Sequence, residues 1–376
     1  MTGSSPATIG ERIFNFRNRI LMDPRFQRHA PSLPFGGWMT RRRTRQLFDV
    51  CAGFVYSQVL AACVELDLFR KLEAGAVDID RLAVSCGLGE AAMRRLCLAA
   101  QSLDLLESRP EGRFGLGQQG AALLGNPSVF AMIRHHSMLY ADLVEPVEML
   151  RRKRGDTRLG DYWAYAGAND DKASLSPART ESYSGLMADT QAFIAEEVIR
   201  AYPFSRHRQV LDVGGGLGVF VSALLKSHAN ISATVFDLPG VVGAAADRFV
   251  RDGVESRARV QGGDFYADPL PKGADLISLV RILHDHDDAQ ARALICAASD
   301  ALPAGGRILI AEPMAGTRGA RAMGDGYFGI YLWAMGSGRP RTKSELRDML
   351  QAAGFRRVRE CGTRQPLLVR VLVAEK

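Results

Sequence analysis

From about residue 201 onward, short apolar runs alternate with amphipathic ones. Val210–Val213, Ala233–Phe236, Ala258–Gln261, Leu276–Val280 and Arg307–Ala311 read as strands. Val219–Lys226, Val241–Val250 and Ala289–Ala301 between them repeat apolar residues at helical spacing. Such βα alternation predicts a parallel sheet with helices on both faces. The rhythm then breaks. Ser344–Ala353 reads as a helix stopped by Gly354, and two strands follow, Arg356–Glu360 and Leu367–Ala374. The expected fold class is α/β: a doubly wound sheet whose last strand runs antiparallel.

Residues 51–200 carry a helical pattern instead. Phe54, Val55, Val59, Leu60 and Cys63 share one spacing. Asp78-Ile-Asp80 gives a helix an acidic start, and Gly87-Leu-Gly89 ends it. Ala91–Leu103 reads as a second helix, and Leu105-Leu-Glu leads through a turn into Arg113-Phe-Gly-Leu as a two-stranded wing. Helix, turn, helix and wing suit either a dimerisation platform or a regulator that reads DNA. The helix that would enter the groove offers only Arg94 and Arg95 beside Met93, Leu96, Cys97 and Leu98, thin for phosphate contacts. No nucleic-acid partner is expected. The first 50 residues form a third part, broken by Pro31 and Pro34.

Charge sharpens that division. The chain's net charge is +7, yet Arg12, Arg17, Arg19, Arg25, Arg28, Arg41, Arg42, Arg43 and Arg45 face only Glu11, Asp23 and Asp49 in the first 50 residues. The excess therefore sits in one arm. Interleaved Phe14, Phe16, Ile20, Leu21 and Phe26 suit an anionic membrane surface; an arm packed on a partner subunit is the alternative. No run of about 18 apolar residues predicts a spanning helix. The N-terminus lacks a basic start leading into an apolar run, so no signal peptide is expected. Six cysteines without a C-x-x-C pair read as buried free thiols of a reducing cytosol.

The chemistry gathers where strands end. Val210-Leu-Asp212 runs into Gly214-x-Gly216-x-Gly218, a glycine turn at the carboxyl edge of the first strand, where open α/β sheets bind ligands. A dinucleotide fold asks for Gly-x-Gly-x-x-Gly. Here the third glycine comes one residue early, the pattern that holds S-adenosylmethionine (SAM). Asp237 ends the second strand, 23 residues after Gly214, where a carboxylate accepts from ribose hydroxyls; capping of the next helix is the alternative. Asp264 and Phe265 end the third strand and suit adenine. Leu238 and Arg281 complete the residues assigned to the cofactor. Strand four runs into Arg281-Ile-Leu-His284-Asp285-His286-Asp287-Asp288. A neutral His284 can act as general base toward a substrate hydroxyl. Either Asp287 or Asp288 is expected to cap the following helix, and no metal site is expected.

The glycine turn, Phe236-Asp237-Leu-Pro239, Gly263-Asp264-Phe265, His284-Asp285, Glu312-Pro313 and Arg341-Thr together resemble the caffeate/acetylserotonin type of SAM-dependent O-methyltransferases. The resemblance spans about residues 50–376. It implies an N-terminal winged-helix part that builds an intertwined homodimer, His284 as base and Glu312 as the glutamate that orients it. Asp285 joins them as a catalytic candidate. The family's second glutamate, before the Arg-Thr pair, is here Pro340, and the Trp of its His-Asp-Trp pattern is His286. Leu47–Leu60, the arginine-rich arm and Arg281–Asp288 look like the demethylspheroidene (hydroxyneurosporene) branch of bacterial carotenoid synthesis. The implied acceptor is an acyclic carotenoid with a tertiary hydroxyl. The alternatives are C-methylation of a bacteriochlorophyll precursor and a SAM-sensing DNA-binding regulator. Such an apolar acceptor needs an apolar channel, for which Met187, Met323 and Tyr327 are the chosen wall residues. Met132, Met138, Tyr140, Phe328, Tyr331, Trp333 and Met335 read mainly as core, and His135-His136 as structural or capping residues. The implied place is the cytoplasm, peripheral to the inner or photosynthetic membrane.

Overall fold

The computed structural model describes residues 8–32, 36–163 and 190–376. The chain divides into two compact units, one up to Gly125 and one from Asn126.

The first unit opens with three helices. Ile9–Met22 is fixed at its start by a capping box, in which Thr8 and Glu11 exchange side-chain bonds to each other's backbone N–H. Pro24–His29 is capped by Asp23, and Gly36–Glu65 follows. The last of these crosses the boundary expected at residue 50. The composition changes there from arginine-rich to apolar, but no proline interrupts the helix and Gly53 is tolerated within it. Pro34 lies outside the described residues. Helices Ile79–Ser85 and Glu90–Ser102 then pack on a small sheet. That sheet has three strands rather than two. β1 (Val77–Asp78) joins β2 (Leu106–Ser108) and β3 (Arg113–Leu116) in the order β1-β3-β2, because Val77 pairs with Phe114. Cys63, Phe69, Leu82, Met93, Cys97 and Leu106 form its buried core.

By length and composition, Gly37–Glu65 is apolar enough to cross a membrane, with a best-window mean hydropathy of 1.7. Counting consecutive apolar residues misses this, since isolated Ser57 and Gln58 hardly lower an average. All six cysteines are free; Cys63, Cys97 and Cys361 are buried, whereas Cys51 and Cys296 are exposed, against the expectation of buried thiols.

The second unit holds a seven-stranded sheet. Its strands are β4 (Gln209–Val213), β5 (Ser232–Asp237), β6 (Ala258–Gly262), β7 (Leu276–Val280), β8 (Arg307–Glu312), β9 (Arg356–Cys361) and β10 (Arg370–Glu375), in the order β6-β5-β4-β7-β8-β10-β9. The first five are mutually parallel, and β10 runs antiparallel to β8 and β9. Side chains of successive strand residues point to opposite faces. Val210, Leu276, Leu309 and Val371 therefore enter one core cluster, while Leu211, Ile277, Ile308 and Leu372 enter the other. Burial on both faces explains why these strands read as continuous apolar runs. Strand β10 starts at Arg370 rather than Leu367, because Pro366–Leu368 form a turn. The described helices within residues 127–162 and 190–201 belong to this unit, so the helix-rich stretch expected over 51–200 is split at Gly125.

Candidate active site

The carboxyl ends of β4, β5 and β7 meet at the glycine turn. Gly214, Gly216 and Gly218 all have positive φ, of 69°, 56° and 69°. Two of them answer to packing. A Cβ at Gly214 would lie 2.4 Å from the Ile282 side chain, and one at Gly218 would lie 2.6 Å from Phe249. The early third glycine thus lets the Val219–Ser227 helix close onto Pro239–Arg251. At Gly216 a Cβ would meet nothing within 4 Å. That face of the turn opens to the space a ligand would take. The Gly216 N–H donates to Asp237 Oδ2 at 2.7 Å, and the Leu238 N–H donates to Oδ1 at 2.7 Å. Asp237 is buried, so burial raises its pKa against the pull of those two donors. Each oxygen keeps a lone pair for a ribose hydroxyl. An open glycine face beside a fixed, buried carboxylate fits the nucleoside part of SAM.

Asp212, one turn deeper, is a group the motif contains but spacing could not interpret. Its side chain is buried and accepts from Ser278 Oγ at 2.6 Å. Burial, with the Asp237 charge adding, lifts its pKa to about 7. Nearby, the half-buried Asp264 accepts from the Tyr266 N–H at 2.9 Å. Phe265, Tyr266 and His286 make a set of edge-to-face rings with centroids 4.6–5.5 Å apart. His286 thus stands among aromatic rings, and burial holds it neutral by lowering its pKa.

His284 lies in the turn Leu283–Asp285 after β7 and is buried. Its backbone N–H donates to Glu312 Oε1 at 3.0 Å, fixing the turn to the end of β8. The ring lies between two carboxylates. Asp285 Oδ1 is 3.2 Å from Nε2, and Glu312 Oε1 is 3.6 Å from Nδ1, longer than a hydrogen bond. Burial alone would lower the imidazole pKa, but the Asp285 and Glu312 charges outweigh it and raise the value. Phe328 packs on the ring at 6.2 Å. Arg281 has a left-handed φ of 57°, and its guanidinium donates to Thr190 Oγ1 at 2.8 Å, tying the end of β7 to helical residues 190–201.

The segment from Gly336 to Arg341 clasps this turn. Arg341 is completely buried and donates to the Leu283 and His286 carbonyls, each at 2.6 Å, and to Asp288 at 3.0 Å. Gly338 (φ 78°) comes so close that a Cβ would lie 2.0 Å from the His284 carbonyl oxygen. Asp287 stands at the N-cap position of the next helix, as expected, but its side chain makes no capping hydrogen bond. Asp287 accepts from the Gly338 N–H and Arg154, and Asp288 from Arg339 and Arg341. Charged donors across the turn outcompete a helix N–H for these carboxylates. Arg341 is visible in the sequence only as half of an Arg-Thr pair; its hold on the His284 turn depends on tertiary packing.

Of the three chosen wall residues, Met187 lies outside the described residues. Met323 and Tyr327 lie on the π-helical stretch Ala322–Phe328, both half-buried. Tyr327 adjoins Phe328 and so borders the His284 side of the site. His135 and His136 sit within helix Pro127–Asp142, not at its start, and bond to Tyr331 and Tyr327.

Comparison with known proteins agrees with this geometry. Residues 145–356 match an O-methyltransferase domain, and residues 48–126 match an O-methyltransferase dimerisation domain. The chain is 38% identical to demethylspheroidene O-methyltransferase of Cereibacter sphaeroides, over 94% of this chain and 93% of the relative. It is also 38% identical to the protein of that name from Rhodobacter capsulatus, over 100% and 92%. The structure of human N-acetylserotonin methyltransferase in complex with SAM superposes with a TM-score of 0.72 at 24% identity, over 89% of this chain and 97% of that one.

Proposed function

We infer that this chain, which belongs to the SAM-dependent O-methyltransferases with a dimerisation domain, methylates the hydroxyl of an acyclic hydroxycarotenoid. The chain is an enzyme, its cofactor is SAM, and it works as a homodimer. The acceptor reading rests on one observation, the nearly full-length likeness to two demethylspheroidene O-methyltransferases. Neither the chlorin C-methylation reading nor the DNA-reading regulator has comparable support.

SAM supplies a methyl group on a positively charged sulfur. The chain's own residues do the rest. Gly214, Gly216, Asp237, Leu238, Asp264, Phe265 and Arg281 are the proposed cofactor residues, with Asp237 the strongest because both oxygens are already aimed by backbone donors. A tertiary alcohol is far too weak an acid for imidazole to ionise it in advance. Alignment of the hydroxyl therefore carries most of the rate, and His284 takes the proton as the C–O bond forms. The Glu312 and Asp285 charges stand 3.6 Å from Nδ1 and 3.2 Å from Nε2, and Nδ1 itself has no hydrogen-bond partner among the described residues. Asp285 thereby stabilises the imidazolium, the part a second glutamate in place of Pro340 would otherwise play. Purified enzyme with SAM is expected to methylate a hydroxycarotenoid and to leave a flavonoid and a chlorin unmethylated, read by mass of the products. Methylation of the chlorin or flavonoid alone overturns the acceptor reading.

The proposed location is the cytoplasm, with the arm resting on an anionic membrane. Along Ile9–Met22, positions 9, 13, 16 and 20 fall on one helical face. Ile9, Ile13 and Phe16 there are 79%, 63% and 64% exposed, and Arg12 and Arg19 flank them. The helix buries none of its residues. This pairing of an apolar face with arginines suits an interfacial helix, whose natural counterpart is acidic lipid. Deleting residues 1–45 should weaken co-sedimentation with phosphatidylglycerol vesicles while leaving the dimer intact by size exclusion. Equal sedimentation of the truncated enzyme removes the lipid contact.

A further inference from the structure

Two histidine–tyrosine rungs join helix Pro127–Asp142 to the helix that follows β8. His135 Nε2 meets the Tyr331 hydroxyl at 2.6 Å, and His136 Nε2 meets the Tyr327 hydroxyl at 2.6 Å. Their hydrogen bonds are not equivalent. Burial lowers both imidazole pKa values, His135 to about 4, so each ring is neutral and has one nitrogen that accepts. Tyr331 already receives the Trp163 Nε1–H at 2.9 Å and is buried. Bonded to His135 as well, its hydroxyl has two partners, which makes this rung a closed structural contact. Tyr327 and His136 share one hydrogen bond whose donor the imidazole tautomer sets, and the Tyr327 hydroxyl also lies 3.9 Å from the Met132 sulfur, a weak acceptor. Among the described residues no donor other than His136 reaches its oxygen, so at least one lone pair stays open. It is half-buried and adjoins Phe328, the ring that packs on His284.

We propose that the Tyr327 hydroxyl, held by His136, receives the hydroxyl of the incoming substrate and so selects the hydroxylated end of the polyene. This rests on the hydroxycarotenoid reading above. A hydroxyl leaving water for an apolar wall needs a partner, and the bare end of a polyene needs none. Tyr327 supplies one lone pair, and the neutral His136 fixes its direction. The alcohol's proton then passes to His284 when the hydroxyl advances to the methyl donor. Tyr327 is thus a positioning residue, and its loss falls on substrate binding rather than on the chemical step.

The test compares Tyr327→Phe with Tyr331→Phe in the full-length enzyme. Tyr327→Phe should raise KM for the hydroxycarotenoid about tenfold, the scale of one hydrogen bond, with kcat, SAM affinity and Tm close to wild type. It should also bring inhibition by an unhydroxylated polyene of equal length level with binding of the hydroxylated one. Tyr331→Phe should lower Tm and leave KM near wild type. His136→Gln, whose amide oxygen still accepts from Tyr327, should keep the low KM that His136→Ala loses. An unchanged KM in Tyr327→Phe, or parallel losses of KM, SAM affinity and Tm, overturns the proposal. If wild-type enzyme methylates no hydroxycarotenoid, the acceptor reading fails instead, and the two failures are thereby distinct.

Discussion

His284→Ala is expected to lower kcat by about 10²- to 10⁴-fold, the usual contribution of a positioned general base, and to leave SAM affinity nearly unchanged. The ring stands among Asp285, Glu312 and Phe328, none of them a proposed cofactor residue, and the turn is anchored by backbone and by Arg341. The wild-type pH profile should carry the same group. Only neutral imidazole accepts a proton, and the two carboxylates raise the His284 pKa above its ordinary 6.5. The rate should therefore rise with pH through an inflection above 6.5. Glu312→Gln or Asp285→Asn removes one raising charge and should move that inflection to lower pH. The stability linkage runs the other way. A pKa raised by folding adds stability that is fully present below the unfolded value and is lost as pH rises through the folded value. The enzyme should thus draw most stability from His284 at acid pH, where the base is least active. Single-turnover rates against pH, with SAM binding by calorimetry, check this; a rate unchanged in His284→Ala means another group takes the proton.

Such a site was largely legible in the sequence because its parts lie at strand ends. Strands announce themselves through apolar runs, and residues just past them must reach the sheet's carboxyl edge. Gly216, Asp237, His284 and Glu312 were placed by that rule alone or with the family pattern. Arg341 and Gly338 were not readable as site residues. They act on the His284 turn from more than 50 positions away, and no periodicity encodes which carbonyl a buried guanidinium will meet. The helix Gly36–Glu65 runs across the compositional change at residue 50 for a related reason. Composition changes at residue 50, but helix continuity depends on breakers, and none occurs there. Local rules place Asp287 at the cap position, where it stands, but tertiary arginines take the side chains of both Asp287 and Asp288.

The second large effect is expected at Arg341, and it should differ in kind from that of His284. Arg341→Met keeps side-chain volume but removes every donor. The Leu283 and His286 carbonyls, which Arg341 holds at 2.6 Å, would be left buried without a partner. Asp288 is 44% exposed, so water replaces much of its lost contact and the carbonyls bear most of the cost. That cost is on the order of 3 kcal/mol, equivalent to a fall in Tm of roughly 6–12 °C for a domain of this size. Activity should fall as well, because the two carbonyls bracket His284 and set where its ring stands between Asp285 and Glu312. Arg341→Lys should recover only part of either loss, since a single ammonium cannot span two carbonyls and a carboxylate that a planar fork reaches together. Asp288→Asn, which leaves the carbonyl bonds in place, should stay near wild type in both. Thermal melts and kcat for the three variants decide the matter. If Arg341→Met melts like wild type, the clasp is not what holds the catalytic turn. If it melts low but retains full kcat, the turn keeps its geometry without it.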